Sequence, residues 1–251
     1  MNNDESLGCY LFCVYQDEQD TEYGEVTMSG VPSKVRTISH NGLSMVAADL
    51  PVKIYAPKKD DLLAHQEVIN QVMKEHSVIP MSYGTVLSSE EDVKLLMEKI
   101  EPQLKETFPK IENKIEVGLK VIAKKDWLTE RVHKDPKLNK MNQVSAKDSY
   151  YRQIEAGEKA KDFIYALREE YETKLASPLE KLSVSTKLNE PVSERMLMNA
   201  SFLIEKSMED EFDKKVNELY EEMNDQVEFN YSGPWPAYNF IELKFKAEGA
   251  V

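Results

Sequence analysis

Apolar residues recur along the chain with two periods, and each change of period marks a predicted element. Leu7-Gly8-Cys9-Tyr10-Leu11-Phe12-Cys13-Val14-Tyr15 is apolar and aromatic at successive positions, which predicts a central strand covered on both faces. From Gln16 to Gly30 the chain is polar and shows no period, so this segment reads as a surface loop. Val35 to Ile38 and Leu43 to Ala47 flank His40-Asn41-Gly42. Asn-Gly between two such runs is the strongest short hairpin signal and makes His40 a turn residue. Asp60-Asp61 then open a helix whose stripe is Leu62, Ile69, Val72, Met73 and His76. Pro80 pushes Ile79 out of the α region, so Val78 to Tyr83 should run extended, with Val78 to Met81 a candidate further strand, until Gly84 turns the chain. Ser88 and Ser89 each have an acid three residues on, Glu91 and Asp92, as in a capping box. They start a second helix with Val93, Leu96, Met97 and Ile100 inward, ending before Pro102. The elements make a small sheet with two covering helices.

A polar break at Pro109 to Lys114 sets the expected boundary between a first domain, 1–110, and a second, 111–251. In the second, Ile115 to Ile122 reads as a strand, with Gly118 marking close packing or a bulge. Asp126 to Val144 is a polar, partly helical excursion broken at Pro136. The longest helix is expected over Ser145 to Leu175, where Tyr151, Ile154, Phe163, Ile164, Leu167, Tyr171 and Leu175 fall at helical spacing before Ser177-Pro178. Leu179 to Leu188 and Arg195 to Glu205 follow as strands around Asn189-Glu190-Pro191. Ser207, with Asp210 three residues on, should cap a helix bearing Phe212, Val216, Leu219, Tyr220 and Met223. Strand segments over Val227 to Tyr231 and Tyr238 to Phe245 close the pattern, with a short tail beyond. The order β-α-β-β-α-β is that of a ferredoxin-like domain, and the whole is an α+β chain of two domains.

Length and charge narrow the functional classes. A chain of 251 residues can bury a sizeable core, and its apolar runs are strand-length, too short to span a bilayer. The acidic start Met1-Asn2-Asn3-Asp4-Glu5 lacks the features of a signal peptide, which predicts a cytoplasmic protein. Cys9 and Cys13 are the only cysteines. On a regular strand they face the same side about 13 Å apart, too far for a disulfide, and read as buried apolar fillers. A net charge of −13 and pI near 4.9 argue against nucleic acid or membrane lipid as partner.

No catalytic machinery is legible. Gly157 is a lone glycine within a helical pattern, not a phosphate loop. His65 and His76 lie roughly 16 Å apart along one helix, beyond a shared metal, and His133 has no Cys or His at ligand spacing. Gly-x-Ser-x-Gly is missing, and Glu90-Glu91 and Glu221-Glu222 sit on predicted helices as solvated or capping acids. No catalytic, cofactor-binding or metal residue is assigned, and an enzyme is not expected.

Two stretches are distinctive. Ala64-His65 near a helix start precedes Pro80-Met81-Ser82-Tyr83-Gly84-Thr85-Val86, and Tyr231-Ser232-Gly233-Pro234-Trp235-Pro236 lies near the other end. Together they resemble the gas vesicle protein L/F family over nearly the whole chain. The resemblance implies a modified ferredoxin fold and a non-enzymatic assembly role in the cytoplasm and at the gas vesicle. In that role the protein would bind the apolar shell-forming protein, together with other gas vesicle accessory proteins, and prevent shell-protein aggregation during nucleation. A minor structural component of the finished vesicle, or a ferredoxin-like regulatory protein binding a small molecule, are the rival readings. The candidate partner-binding residues are Tyr231, Pro234, Trp235, Pro236, Tyr238 and Phe240, with Pro80, Met81 and Tyr83. For Trp235 the alternative, and the expectation taken, is that it plugs the core of the second domain. Met196, Met198 and Met208 are either core filling, the expectation, or an adaptable surface.

Overall fold

A computed structural model of the chain describes residues 6–136, 138 and 149–242, with side chains from residue 157 onward in the last range. The fold is mixed, with two sheets, and divides into two compact units. One takes in the described residues up to Lys114 and those from Trp235 on; the other is Ile115–Pro234.

The first unit is built around β1 (Leu7–Gln16), buried from Gly8 through Tyr15. With β2 (Glu22–Met28), β3 (Val31–His40), β4 (Leu43–Pro51) and β5 (Val78–Pro80) it forms a sheet in the order β2-β3-β4-β1-β5. A sixth strand, β6 (Val86–Leu87), also pairs antiparallel with β1, at Cys9 and Tyr10. β3 and β4 form the expected hairpin, with Asn41 and Gly42 both at positive φ, 51° and 76°.

The segment 16–30 is not a loop. It contains β2, joined to β3 by a second tight turn, Ser29-Gly30, at φ 52° and 82°. Its inward residues are Tyr23, Val26 and Met28. A register shift between Glu22 and Glu25 breaks the period of two, which hides the strand from the alternation test.

A bulge also alters β1. The register against β4 slips between Leu11 and Cys13, so Tyr10, Phe12, Cys13 and Tyr15 all join one core cluster. Cys9 is not in that cluster and feels instead the charges of Asp49, Arg36, Glu90 and Asp92. The two cysteines therefore do not share a face, because one extra residue reverses the alternation between them. Both are buried and free, as expected of apolar fillers.

Helices cover both faces. α1 (Lys59–Met73) packs His65, Val68, Ile69 and Val72 on the face with Tyr10 and Phe12. Leu62, expected inward, is 41% exposed, while Asp61 points in and accepts hydrogen bonds from Ser29 N–H (2.6 Å) and Oγ (2.7 Å). Those bonds hold the Asp61 carboxyl below its usual range and pin the β2–β3 turn to the helix start. α2 (Glu90–Ile111) lies over the opposite face: Val35 packs in the α1 cluster, whereas Arg36, next along β3, reaches Glu90 at 3.3 Å. Ser89 caps α2, accepting from Asp92 N–H at 3.2 Å. The helix does not end at Pro102, and there is no break at Pro109. Its buried stripe continues through Leu104, Phe108 and Ile111, so apolar periodicity overrides both prolines.

The second unit contains β7 (Lys114–Ala123), α3 (Lys125–Lys134), α4 (Ser149–Glu180), β8 (Ser185–Leu188), β9 (Met196–Glu205), α5 (Glu209–Met223) and β10 (Val227–Trp235). Its sheet runs β10-β7-β9-β8. The core joins Val117, Leu119 and Val121 of β7 to Leu167, Tyr171 and Leu175 of α4 and Phe212 and Val216 of α5. Three boundaries differ from expectation. α4 passes Pro178 and ends at Glu180, which shortens the following strand to β8. Ser207 lies in a 3-10 turn, Lys206–Met208, and α5 starts without a side-chain cap. The last strand is continuous through Pro234 to Trp235, and residues 238–242 form no strand. The expected contributions of Tyr151 and Ile154, the stretch 139–148 and the segment 243–245 lie outside the described residues.

Candidate functional site

After α1 the chain runs along the open edge of β1 twice, with an excursion between. Ile79 pairs with Val14, and Met81 N–H donates to the Phe12 carbonyl at 2.8 Å. The chain then leaves the sheet and returns at Thr85, whose carbonyl accepts Leu11 N–H at 2.9 Å. Inside the excursion, Ser82 carbonyl accepts both the Thr85 N–H (3.1 Å) and its hydroxyl (2.7 Å), and Gly84 takes φ 82°. That conformation favours glycine at this turn. Pro80, which has no N–H to offer, sits at the sheet edge, where a proline is tolerated.

This edge forms one wall of a groove of about 440 Å³. Pro80, Met81, Ser82, Thr85 and Leu87 come from the edge, Leu96 from α2, and Tyr238 and Ile241 from the C-terminal segment. None of these side chains is charged. Tyr238 is 42% exposed and donates its hydroxyl to Gln66 Oε1 at 2.9 Å. The groove lining is thus mostly apolar, with three hydroxyl-bearing side chains among it, and has room for a few side chains.

Behind the wall lies a buried polar chain. Gly84 N–H donates to Tyr10 Oη at 3.0 Å, and the same hydroxyl is hydrogen-bonded to His65 Nδ1 at 3.1 Å, donating its proton in the tautomer that leaves Nδ1 unprotonated. The Met81 backbone is the imidazole's other hydrogen-bonding neighbour. His65 is 5% exposed, and burial lowers its pKa to about 4, so it is neutral near pH 7. Burial likewise pushes the Tyr10 phenol up. Tyr83 packs edge-on against His65, ring centroids 5.7 Å apart, and donates its hydroxyl to the Ala56 carbonyl at 3.0 Å.

Of the residues singled out in sequence, Pro80, Met81 and Tyr238 meet at the groove. Tyr83 stands behind it on His65. Tyr231 and Pro234 belong to the second unit: Tyr231 stacks on Phe212 and donates to Asp213 Oδ1 at 2.5 Å, and Pro234, after a cis peptide bond, is exposed. Pro236 is buried and Phe240 half-buried. Trp235 does not plug the second unit's core: it is half-buried and outside that unit's hydrophobic cluster, because β10 carries it past the end of the unit. Met196 and Met198 are core filling on β9, at 3% and 0% exposure. Sequence reasoning missed Ser82, Thr85, Leu87, Leu96 and Ile241 as groove residues and His65 and Tyr10 as their support. The legible signal was His65 at i, i+3, i+4, i+7 with Val68, Ile69 and Val72. Among the described residues no three His, Cys, Asp or Glu side chains stand together as a metal site, and no helix is long and apolar enough to cross a membrane.

Residues 8–242 match the family described as gas vesicle synthesis protein GvpL/GvpF. Similar relatives include gas vesicle protein F1 of Halobacterium salinarum, 24% identical over 92% of both chains, and gas vesicle protein F2 of the same organism, 26% identical over 92% of both. The fold is similar to the crystal structure of GvpF from Anabaena sp. PCC7120, with TM-score 0.82, 21% identity and coverage of 96% of this chain and 100% of that one. It is also similar to GvpF from Microcystis aeruginosa, at TM-score 0.75, 20% identity and 94% and 99% coverage.

Proposed function

Because the chain belongs to the gas vesicle synthesis protein GvpL/GvpF family, we propose that it is a non-catalytic accessory protein that binds the apolar shell-forming protein and keeps it from aggregating while vesicles nucleate. The observation that carries this reading is the uncharged groove on which Pro80, Met81 and Tyr238 converge. An apolar client aggregates through exposed apolar surface, and a groove lined by Met81, Leu87, Leu96 and Ile241 covers such surface while the hydroxyls of Ser82, Thr85 and Tyr238 border it. The net charge of −13 keeps copies of the carrier apart, so a loaded carrier stays dispersed. Other gas vesicle accessory proteins are the further partners proposed, and the site of action is the cytoplasm and the forming vesicle. The second unit is read as a modified ferredoxin-like domain, supported by its sheet order β10-β7-β9-β8, in which the second and third strands of the unit form an antiparallel hairpin.

The test is retention of purified shell protein by the full chain, compared with a Leu96→Glu, Tyr238→Glu double variant. Leu96 is half-buried and Tyr238 exposed, so the variant should melt within a few degrees of the parent while its shell-protein affinity falls about tenfold or more. Equal retention by parent and variant sinks the groove assignment. Failure of the parent to retain any shell protein sinks the proposed function.

A further inference from the structure

The Ala64-His65 pair has a structural role that the proposed function leaves unused. Three positions of the loop that supplies part of one wall of the groove are held by a common support. Met81 meets the imidazole through its backbone, Tyr83 packs on the ring, and Gly84 reaches it through the Tyr10 hydroxyl. These groups come from three elements: His65 from α1, Tyr10 from β1, and the excursion from the open edge. The excursion between Met81 and Thr85 has little support of its own. Its internal hydrogen bonds are those from Thr85 to the Ser82 carbonyl, and between the β5 and β6 pairings it meets the β1 backbone at Phe12 and Leu11. An aliphatic side chain at position 65 fills the volume but leaves the Tyr10 hydroxyl without its acceptor and the Met81 backbone without its neighbour, both in a dry site.

We propose that His65 is a positioning residue, a latch that fixes the Met81–Gly84 segment and thereby the wall of the partner-binding groove. The latch itself is a statement about the loop, and its consequence for binding rests on the proposed function. The imidazole suits this role because its two ring nitrogens act in opposite senses, one accepting from Tyr10 and the other free to donate toward Met81. α1 carries the ring on a rigid helix, so the loop inherits the helix's position rather than that of its own flexible turn.

The experiment is amide hydrogen exchange on the full chain, read at Met81, Gly84 and Val46, with shell-protein retention measured in parallel. In His65→Leu the Met81 and Gly84 amides should exchange about tenfold faster or more, while Val46, on the central strand β4, stays as in the parent. His65→Asn, which keeps an acceptor at the position of Nδ1, should recover part of the Gly84 protection. If H65L fails to fold, Tyr10→Phe serves instead: it cuts the link to His65 while keeping the ring, and the Met81 amide, which donates to the Phe12 carbonyl rather than to Tyr10, should quicken. Unchanged exchange at Met81 and Gly84 in H65L, or at Met81 in Y10F, overturns the latch. Faster exchange with reduced retention supports it together with its role at the groove. Faster exchange with full retention supports the latch on the loop and overturns its role in binding. If the parent retains no shell protein, the proposed function fails while the exchange data still decide the latch.

Discussion

Among single residues, His65 carries the clearest energetic signature. Its imidazole is held near pKa 4, against an ordinary value of 6.5, chiefly by burial. Between those values the unfolded chain binds a proton that the folded chain refuses, so stability must fall as the solution is acidified. The contribution is complete above about pH 6.5 and is lost progressively as pH drops toward 4. The groups that face the ring do not confuse this window. Tyr10 and Tyr83 both have phenol pKa values above their ordinary one and remain neutral throughout. Asp61, one turn earlier on α1, has its carboxyl held low by Ser29. The gap between 6.5 and about 4 corresponds to roughly 3 kcal/mol, of which about 2–3 kcal/mol is lost by pH 4.5. Urea midpoints at pH 7 and pH 4.5 should therefore show the parent losing about 2–3 kcal/mol more than His65→Asn, which cannot titrate. Parallel losses in the two proteins would mean that the ring is hydrated in the folded state and that its burial does not govern it.

At the scale of elements, what could be seen in the sequence depended on whether local period and tertiary packing agreed. β1, the β3–β4 hairpin and the Ser89 cap of α2 were legible because each rests on a local signal: an unbroken apolar run, Asn41-Gly42, and Ser-x-x-Asp. β2 was not, since its bulge near Gly24 breaks the alternation, and Ser29-Gly30 is a weaker turn signal than Asn-Gly. The groove was half legible. Pro80, Met81 and Tyr238 stood out as residue types, but Leu87, Leu96 and Ile241 are ordinary apolar residues that only tertiary placement brings together. α2 shows the opposite failure, where a strong breaker is outvoted. Pro102 is exposed in mid-helix while Met97, Ile100 and Leu104 around it are buried. Its ring removes the N–H that would bond the Glu98 carbonyl, a defect worth up to about 3 kcal/mol in a helix interior. Part of that is offset because proline also stiffens the unfolded chain by about 0.4–1 kcal/mol. Pro102→Ala should thus stabilise the protein by about 1–2 kcal/mol, seen as a higher urea midpoint at unchanged slope. A lower midpoint would show that Pro102 supports the packing of Leu104 and Phe108 rather than weakening the helix.

For the whole molecule, the decisive feature is where the chain passes between its units. It leaves the first unit after Lys114, at the start of β7, and returns at Trp235, at the end of β10. β7 and β10 are neighbours in one sheet. A Cβ at Gly118 would meet Ser232, and one at Gly233 would meet Glu116 and Val117, so the strands run in opposite directions and Ile115 comes opposite the last residues of β10. The second unit is therefore an insertion whose two ends emerge side by side, the arrangement in which an inserted domain keeps its own fold. It also has its own core, in which Leu119, Phe202 and Phe212 are fully buried along with Leu175 and Leu179 of α4. Residues 115–234 alone should therefore unfold in a single cooperative urea transition, with the tyrosine and tryptophan fluorescence and the far-ultraviolet circular dichroism changing together. The complementary deletion, Lys114 joined to Trp235 through a short Gly/Ser linker, should keep the first sheet and the groove, because every residue lining that groove lies outside the insertion. A fragment with native helix content but no cooperative melt would show that the two units stabilise one another and that the chain folds as a single body.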